Sequence, residues 1–110
     1  MANLSTHVLD TARGVPAAGI AVELVQVAGE AVIPIAKATT NADGRTDAPL
    51  VADGTLRTGS YELRFAVRAY FGGEGLWDVV PVRFDVRDAN ANYHIPLLVS
   101  PWSYSTYRGS

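Results

Sequence analysis

Two histidines, one turn arginine and four terminal residues hold most of the chemistry this sequence could perform. His7 and His94 are its only imidazoles, so any imidazole chemistry uses one or both. A neutral imidazole near pH 7 takes a proton from water and can return it to a leaving nitrogen. Arg45 follows directly on Asp43-Gly44, where it can present a fixed planar cation to a carbonyl oxygen becoming an oxyanion. The end of the chain, Tyr107-Arg108-Gly109-Ser110, adds a phenol, a guanidinium and a hydroxyl to a stretch that ordinarily frays. Tyr107 and Ser110 can hydrogen-bond a water or a polar substrate edge. Together these groups describe hydrolysis of an amide-like bond with neither a metal nor a covalent nucleophile.

Each group also has a plainer reading. A strand histidine is more often structural or solvated, and Asp43-Gly44-Arg45-Thr46 can be a hairpin turn with a solvated arginine. His7, His94 and Asp10 together suggest zinc, but catalytic zinc usually takes three protein ligands, and no His-x-His or His-x₃-His pair occurs. Arg64, Arg68, Arg83 and Arg87 read as a solvated charged face. Gly72-Gly73-Glu74-Gly75 does not open a helix after a strand and so is no phosphate loop. Ser110 has no Gly-x-Ser-x-Gly elbow to activate it. On spacing alone the enzymatic reading is the minority one.

Composition narrows the class. The chain has 110 residues, a size that suits one domain over residues 1–110. It has no cysteine, which excludes disulfides and thiolate metal sites and fits a reducing, cytoplasmic setting. A net charge of −2 with mixed signs argues against a nucleic-acid partner, which calls for a basic face. No apolar stretch approaches the ~20 residues of a membrane span. Met1-Ala2-Asn3-Leu4 lacks the basic and apolar regions of a signal peptide.

Short alternating runs separated by Gly, Pro, Asn and Asp predict strands. The first covers Leu4 to Asp10 and the second is built on Ile20, Val22 and Leu24. A third spans Ala31 to Thr39, demoted by Pro34 to an edge or a bulge. Asn41 to Gly44 is a turn, and a short, weak strand is expected before Asp53-Gly54. Tyr61, Leu63, Phe65 and Val67 face a core, with Ser60, Glu62, Arg64, Ala66 and Arg68 toward water or a partner. Val80, Val82, Phe84 and Val86 repeat the pattern. Ala69 to Gly75 is the only plausible helical turn. Tyr93 to Ser100 and an aromatic run from Trp102 to Tyr107 complete an all-β sandwich.

With the Val8 and Ile95 faces in the core, His7 and His94 stand on the outer faces of their strands. Leu9 and Leu98 accompany them there. Apolar residues on an outer face imply that another subunit covers it.

Three segments resemble a known family. Leu4-Ser-Thr-His7-Val-Leu-Asp10 with Gly14-Val-Pro-Ala-Ala-Gly19 is similar to the amino-terminal signature of the transthyretin-like 5-hydroxyisourate hydrolases. Thr40-Asn-Ala-Asp-Gly-Arg45-Thr resembles their central arginine turn. Tyr93-His94-Ile-Pro-Leu-Leu-Val-Ser-Pro101, followed by Tyr104-Ser-Thr-Tyr-Arg-Gly-Ser110, resembles their carboxyl-terminal signature. The similarity runs from end to end with the motifs in order. One departure is the short Gly72 to Asp78 connection, where many members carry a longer segment.

The resemblance implies a transthyretin-like two-sheet sandwich of about eight strands with one short helix. It implies a homotetramer with active sites where two dimers meet. The reaction would be hydrolysis of 5-hydroxyisourate to 2-oxo-4-hydroxy-4-carboxy-5-ureidoimidazoline in urate degradation, without cofactor or metal. His7, Arg45, His94 and Ser110 would be catalytic, with Tyr107 and Arg108 joining His7, Arg45 and Ser110 around the substrate. Which histidine is the base stays open, with His94 preferred. The competing expectation is a non-enzymatic carrier of small aromatic ligands of the transthyretin type, which lacks this histidine pair and the Tyr-Arg-Gly-Ser ending.

Overall fold

The computed structural model describes residues 3–52 and 54–110. Met1, Ala2 and Asp53 lie outside the described residues, and with Asp53 half of the expected Asp53-Gly54 turn. Among the described residues eight strands and one helical turn follow one another: β1 (Leu4–Asp10), β2 (Val15–Pro16), β3 (Ala21–Ala28), β4 (Ala31–Thr39), β5 (Gly59–Ala66), α1 (Val67–Tyr70), β6 (Val79–Val86), β7 (Tyr93–Val99) and β8 (Tyr104–Thr106). They form two four-stranded sheets, ordered β2-β1-β7-β8 and β4-β3-β5-β6. The all-β sandwich with one short helix is the architecture expected from the alternation.

The two sheets bury the faces that the alternation assigned to the core. Leu4 and Val8 of β1, Leu24 of β3, Leu63 and Phe65 of β5, and Leu97 and Val99 of β7 are all fully buried. The buried Thr6 and Asp10 among them find partners. Thr6 Oγ1 donates to the Ile95 carbonyl at 2.6 Å. Asp10 accepts from the Ala12 and Arg13 amides at 3.0 Å and from the Tyr70 hydroxyl at 2.7 Å. That last bond ties α1 to the end of β1.

The structure departs from the sequence reading in several places. Val67 opens the helical turn instead of closing β5, so α1 starts two residues before the expected Ala69. The Asp78 carbonyl accepts from both the Val67 and Arg68 amides at 3.1 Å, and this folds the short 71–78 connection back onto the helix start. The weak strand before residue 53 reduces to one bridge between Leu4 and Val51. The aromatic run pairs only over β8, with a further bridge from His94 to Gly109. Pro34 does sit on an edge strand, beside a register shift between Leu24 and Val25 of β3.

Glu62, expected to face water or a partner, is buried on the outer face of its sheet. Two members of the supposedly solvated arginine set cover it. Arg64 donates to its carboxylate at 2.7 Å, and Arg83 donates twice at 3.1 and 3.2 Å. The Arg64 hydrogen bond, opposed by burial and reinforced by Arg83, holds the Glu62 carboxyl below the usual carboxylate range.

Candidate active site

Parallel pairing of β1 with β7 brings the two histidines together from opposite ends of the chain. Ser5 stands opposite His94, and His7 opposite Pro96. Because side chains alternate along a strand, Ser5, His7 and His94 all project from the outer face of this sheet. Ser5 Oγ and His94 Nδ1 are 2.9 Å apart. His7 Nε2 lies 2.8 Å from the Asp43 carbonyl oxygen. A carbonyl only accepts, so this bond assigns a proton to His7 Nε2 and leaves Nδ1 unprotonated in the neutral ring.

The Asp43 carbonyl belongs to the turn that carries Arg45. Asn41 organises that turn: its Oδ1 accepts from the Asp43 and Arg45 amides at 2.9 and 3.2 Å. Its own amide donates to the Arg45 carbonyl at 2.7 Å. Gly44 adopts φ +75°, and a Cβ there would collide with the Val8 carbonyl oxygen. Glycine therefore lets the turn press onto β1, where the Val8 amide donates to the Gly44 carbonyl at 2.8 Å and Arg45 bridges to His7.

The tail arrives from the other side. The Gly109 amide donates to the His94 carbonyl at 2.7 Å, which carries Ser110 to the histidine. A cleft of about 370 Å³ results, lined by Asn3, Ser5, Arg45, Asn92, Tyr93, His94 and Ser110. Arg45, His94 and Ser110 thus share one cavity, with His7 hydrogen-bonded to the turn beside it. The guanidinium of Arg108 lies 4.6 Å above the Tyr93 ring and donates to the Asn92 carbonyl at 3.1 Å. Tyr107 is 55 % exposed and is not among the residues lining this cleft.

The cleft acts on His94. Burial disfavours its imidazolium, and the nearby positive charge of Arg45 and then His7 push in the same direction, so its pKa falls below the ordinary 6.5. These effects favour the neutral ring, which is able to accept a proton. A neutral base, a fixed guanidinium and a hydroxyl around a polar cleft can activate water against a carbonyl and stabilise the resulting oxyanion.

The sequence reading gave no role to Ser5, Asn3 or Asn92. The available signal was that Ser5 shares a strand face with His7. Its partner, however, lies 89 residues away, and that register is set by the parallel pairing. Among the described residues no group of three or more His, Asp or Glu side chains is arranged to hold a metal ion. No described helix is long and apolar enough to cross a membrane.

Fold and site together define a transthyretin-like sandwich that carries an imidazole-based cleft on the outer face of one sheet. The chain belongs to the HIUase/Transthyretin family, whose model matches residues 4–109. It is 55% identical to the 5-hydroxyisourate hydrolase of Deinococcus radiodurans, over 97% of this chain and 95% of that protein. The structure of Klebsiella pneumoniae 5-hydroxyisourate hydrolase superposes with a TM-score of 0.84 at 35% identity, covering 98% of this chain and 99% of that one. Sea bream transthyretin in complex with thyroxine gives a TM-score of 0.88 at 29% identity, over 97% of this chain and 94% of that one. Backbone likeness alone therefore does not separate hydrolase from carrier, and the side chains of the cleft have to decide.

Proposed function

We propose that this chain hydrolyses 5-hydroxyisourate in urate degradation, yielding 2-oxo-4-hydroxy-4-carboxy-5-ureidoimidazoline. The observation that carries this reading is the placement of His94 in one cleft with Arg45 and Ser110, where burial and then Arg45 lower its pKa. The identity to the Deinococcus enzyme supports it.

In the proposed reaction His94 takes a proton from water as the water oxygen bonds to the ring carbonyl carbon beside the departing nitrogen. The carbonyl π pair moves onto oxygen, and the Arg45 guanidinium stabilises the oxyanion. Collapse of this intermediate re-forms the carbonyl and breaks the carbon–nitrogen bond. The leaving nitrogen takes the electron pair and the proton held by His94. His7, with Nε2 committed to Asp43, orients the water or substrate. Ser110 hydrogen-bonds a polar substrate edge. Arg108 braces the Tyr93 wall, and Tyr107, outside the cleft lining of one protomer, would reach the substrate from the tail.

The proposal extends to a homotetramer in the cytoplasm, with this outer face covered by another copy. Leu9 and Leu98 on that face, and the exposed Trp102 at 67% and Tyr107 at 55%, give such a contact its apolar area. A monomeric mass in solution would remove the tetramer.

The test of function is the ultraviolet decay of freshly generated 5-hydroxyisourate. Decay accelerated by the purified protein supports hydrolysis, and decay at the spontaneous rate rejects it. The likeness to a thyroxine complex motivates the other reading, a carrier. Its signature would be saturable binding of thyroxine with no turnover of 5-hydroxyisourate.

A further inference from the structure

We propose that Ser5 is a positioning residue: its hydroxyl accepts from Nδ1–H of His94 and so presents Nε2 as the proton acceptor. This rests on the hydrolytic reading of the same cleft and adds to it a residue and a tautomer.

The geometry of the two imidazoles carries the inference. Each ring has one nitrogen engaged by the fold, and it is a different nitrogen in each. His7 uses Nε2 toward the Asp43 carbonyl at 2.8 Å, which leaves Nδ1 as its basic atom. His94 uses Nδ1 toward Ser5 Oγ at 2.9 Å, which leaves Nε2. On its other side the His94 ring meets the tail, since a Cβ built on Gly109 would come within 2.5 Å of Cδ2. Ser5 and Gly109 thus grip the ring at Nδ1 and at Cδ2, and Nε2 is the nitrogen left for the cleft that His94 lines.

The partner's chemistry matters as much as its position. A hydroxyl accepts from Nδ1–H both in the neutral base and in the imidazolium that forms when Nε2 takes a proton. The same bond therefore persists through proton transfer, and no side chain has to reorganise. A carboxylate in this place would favour the imidazolium and raise the histidine's basicity. An uncharged hydroxyl orients the ring without doing so. The charged and titratable groups around His94 are Arg45 from the turn and His7 from β1, both opposing protonation. Arg108 from the tail is turned onto Tyr93. Ser110, which lines the same cleft, also carries the α-carboxylate, but the groups that act on His94 protonation are Arg45 and His7 alone, so a neutral ring oriented by a neutral partner fits them.

Two measurements test this. The ring-nitrogen shifts of the ¹⁵N-labelled wild-type protein above pH 7 report the tautomers without reference to activity. The expected pattern is His94 protonated on Nδ1 and His7 on Nε2. A His94 proton on Nε2 overturns the proposal, even in an active enzyme. Kinetics on 5-hydroxyisourate supply the other arm. Ser5→Ala should lower kcat about tenfold, the rate equivalent of one neutral hydrogen bond, with KM nearly unchanged. Ser5→Thr, which keeps the hydroxyl, should restore most of that loss. Ser5→Asp should move the acid limb of the pH–rate profile to higher pH by making His94 more basic. Wild-type kcat in Ser5→Ala, or an unmoved limb in a folded Ser5→Asp, refutes the role. Absence of turnover in the wild type would instead reject the hydrolytic reading, and the tautomer measurement would still stand by itself.

Discussion

Gly109 lies against the imidazole of His94 so closely that a methyl group has no room there. A Cβ at this position would fall 2.5 Å from Cδ2 and 3.2 Å from Cγ of the ring. Gly109 is not in the left-handed region of backbone space, so the requirement for glycine is steric, not conformational. Gly109→Ala must displace either the tail or the histidine. Because a misplacement of about 1 Å can cost on the order of a hundredfold in rate, a loss of that size in kcat is expected. The β-sheet circular dichroism should not change. Unaltered turnover would show that the ring tolerates the intrusion and that its placement is not critical.

The depressed pKa of His94 gives the activity a direction with pH. A neutral His94 is needed as base, so kcat/KM should be flat near pH 7 and fall only below a pKa lower than 6.5. Arg45 is the second of the three causes, after burial and before His7. Arg45→Ala should therefore shift this limb upward toward 6.5 while also lowering kcat roughly a hundredfold or more through loss of oxyanion stabilisation. Stability follows the same sign. The folded state holds its proton less tightly than the unfolded chain, so this contribution is intact above 6.5 and is lost as pH falls through the lower folded value. Urea midpoints measured across that window should decline toward acid, and His94→Ala should flatten the decline.

How much of this was legible in the sequence depends on the range of the interaction. Tyr61, Leu63 and Phe65 alternate with polar neighbours and are buried as the period of two requires. Placement of His7 and His94 on outer faces followed from the same rule. Ser5 was visible as a face-mate of His7, but its pairing with His94 depends on the β1–β7 register, which no local pattern records. Glu62 stands on the outer face that the alternation gives it, but its burial there was missed for a related reason. Alternation tells which face a residue points to, while the cover that Arg64 and Arg83 provide comes from its own strand and from the neighbouring β6. The helix boundary shifted because Asp78, eleven residues beyond Val67, supplies the carbonyl for the first two helical amides.

The Glu62 cluster offers a separation of stability from catalysis. It sits on the outer face of the sheet that does not carry the cleft, and it is held by three charge-assisted hydrogen bonds. Glu62→Gln keeps the shape but removes the charge, and should cost about 2 kcal/mol in urea unfolding at pH 7. The wild-type contribution should be complete above the ordinary carboxylate value of 4.5 and disappear as pH falls through the lowered one. Turnover of 5-hydroxyisourate should be unchanged at temperatures where the variant is folded. A parallel loss of kcat would mean that the two sheets are coupled more tightly than their separate faces suggest.

Two glycines allow the docking of the arginine turn to be measured directly. Gly19 and Gly44 both occupy the left-handed region, at φ +82° and +75°. A Cβ on Gly19 meets nothing within 4 Å, whereas one on Gly44 runs into the Val8 carbonyl oxygen and lies 3.2 Å from Pro16 Cβ. Gly19→Ala therefore bears only the conformational penalty, about 1 kcal/mol. Gly44→Ala adds a backbone collision and should cost a further ~1–3 kcal/mol. It should also lower kcat, because relief of the clash lifts the turn from β1 and carries Arg45 and the Asp43 carbonyl away from His7. Thermal unfolding of the two variants, with turnover measured on each, separates the effects. Equal destabilisation with equal activity would mean that Arg45 is positioned without the close approach of its turn to β1.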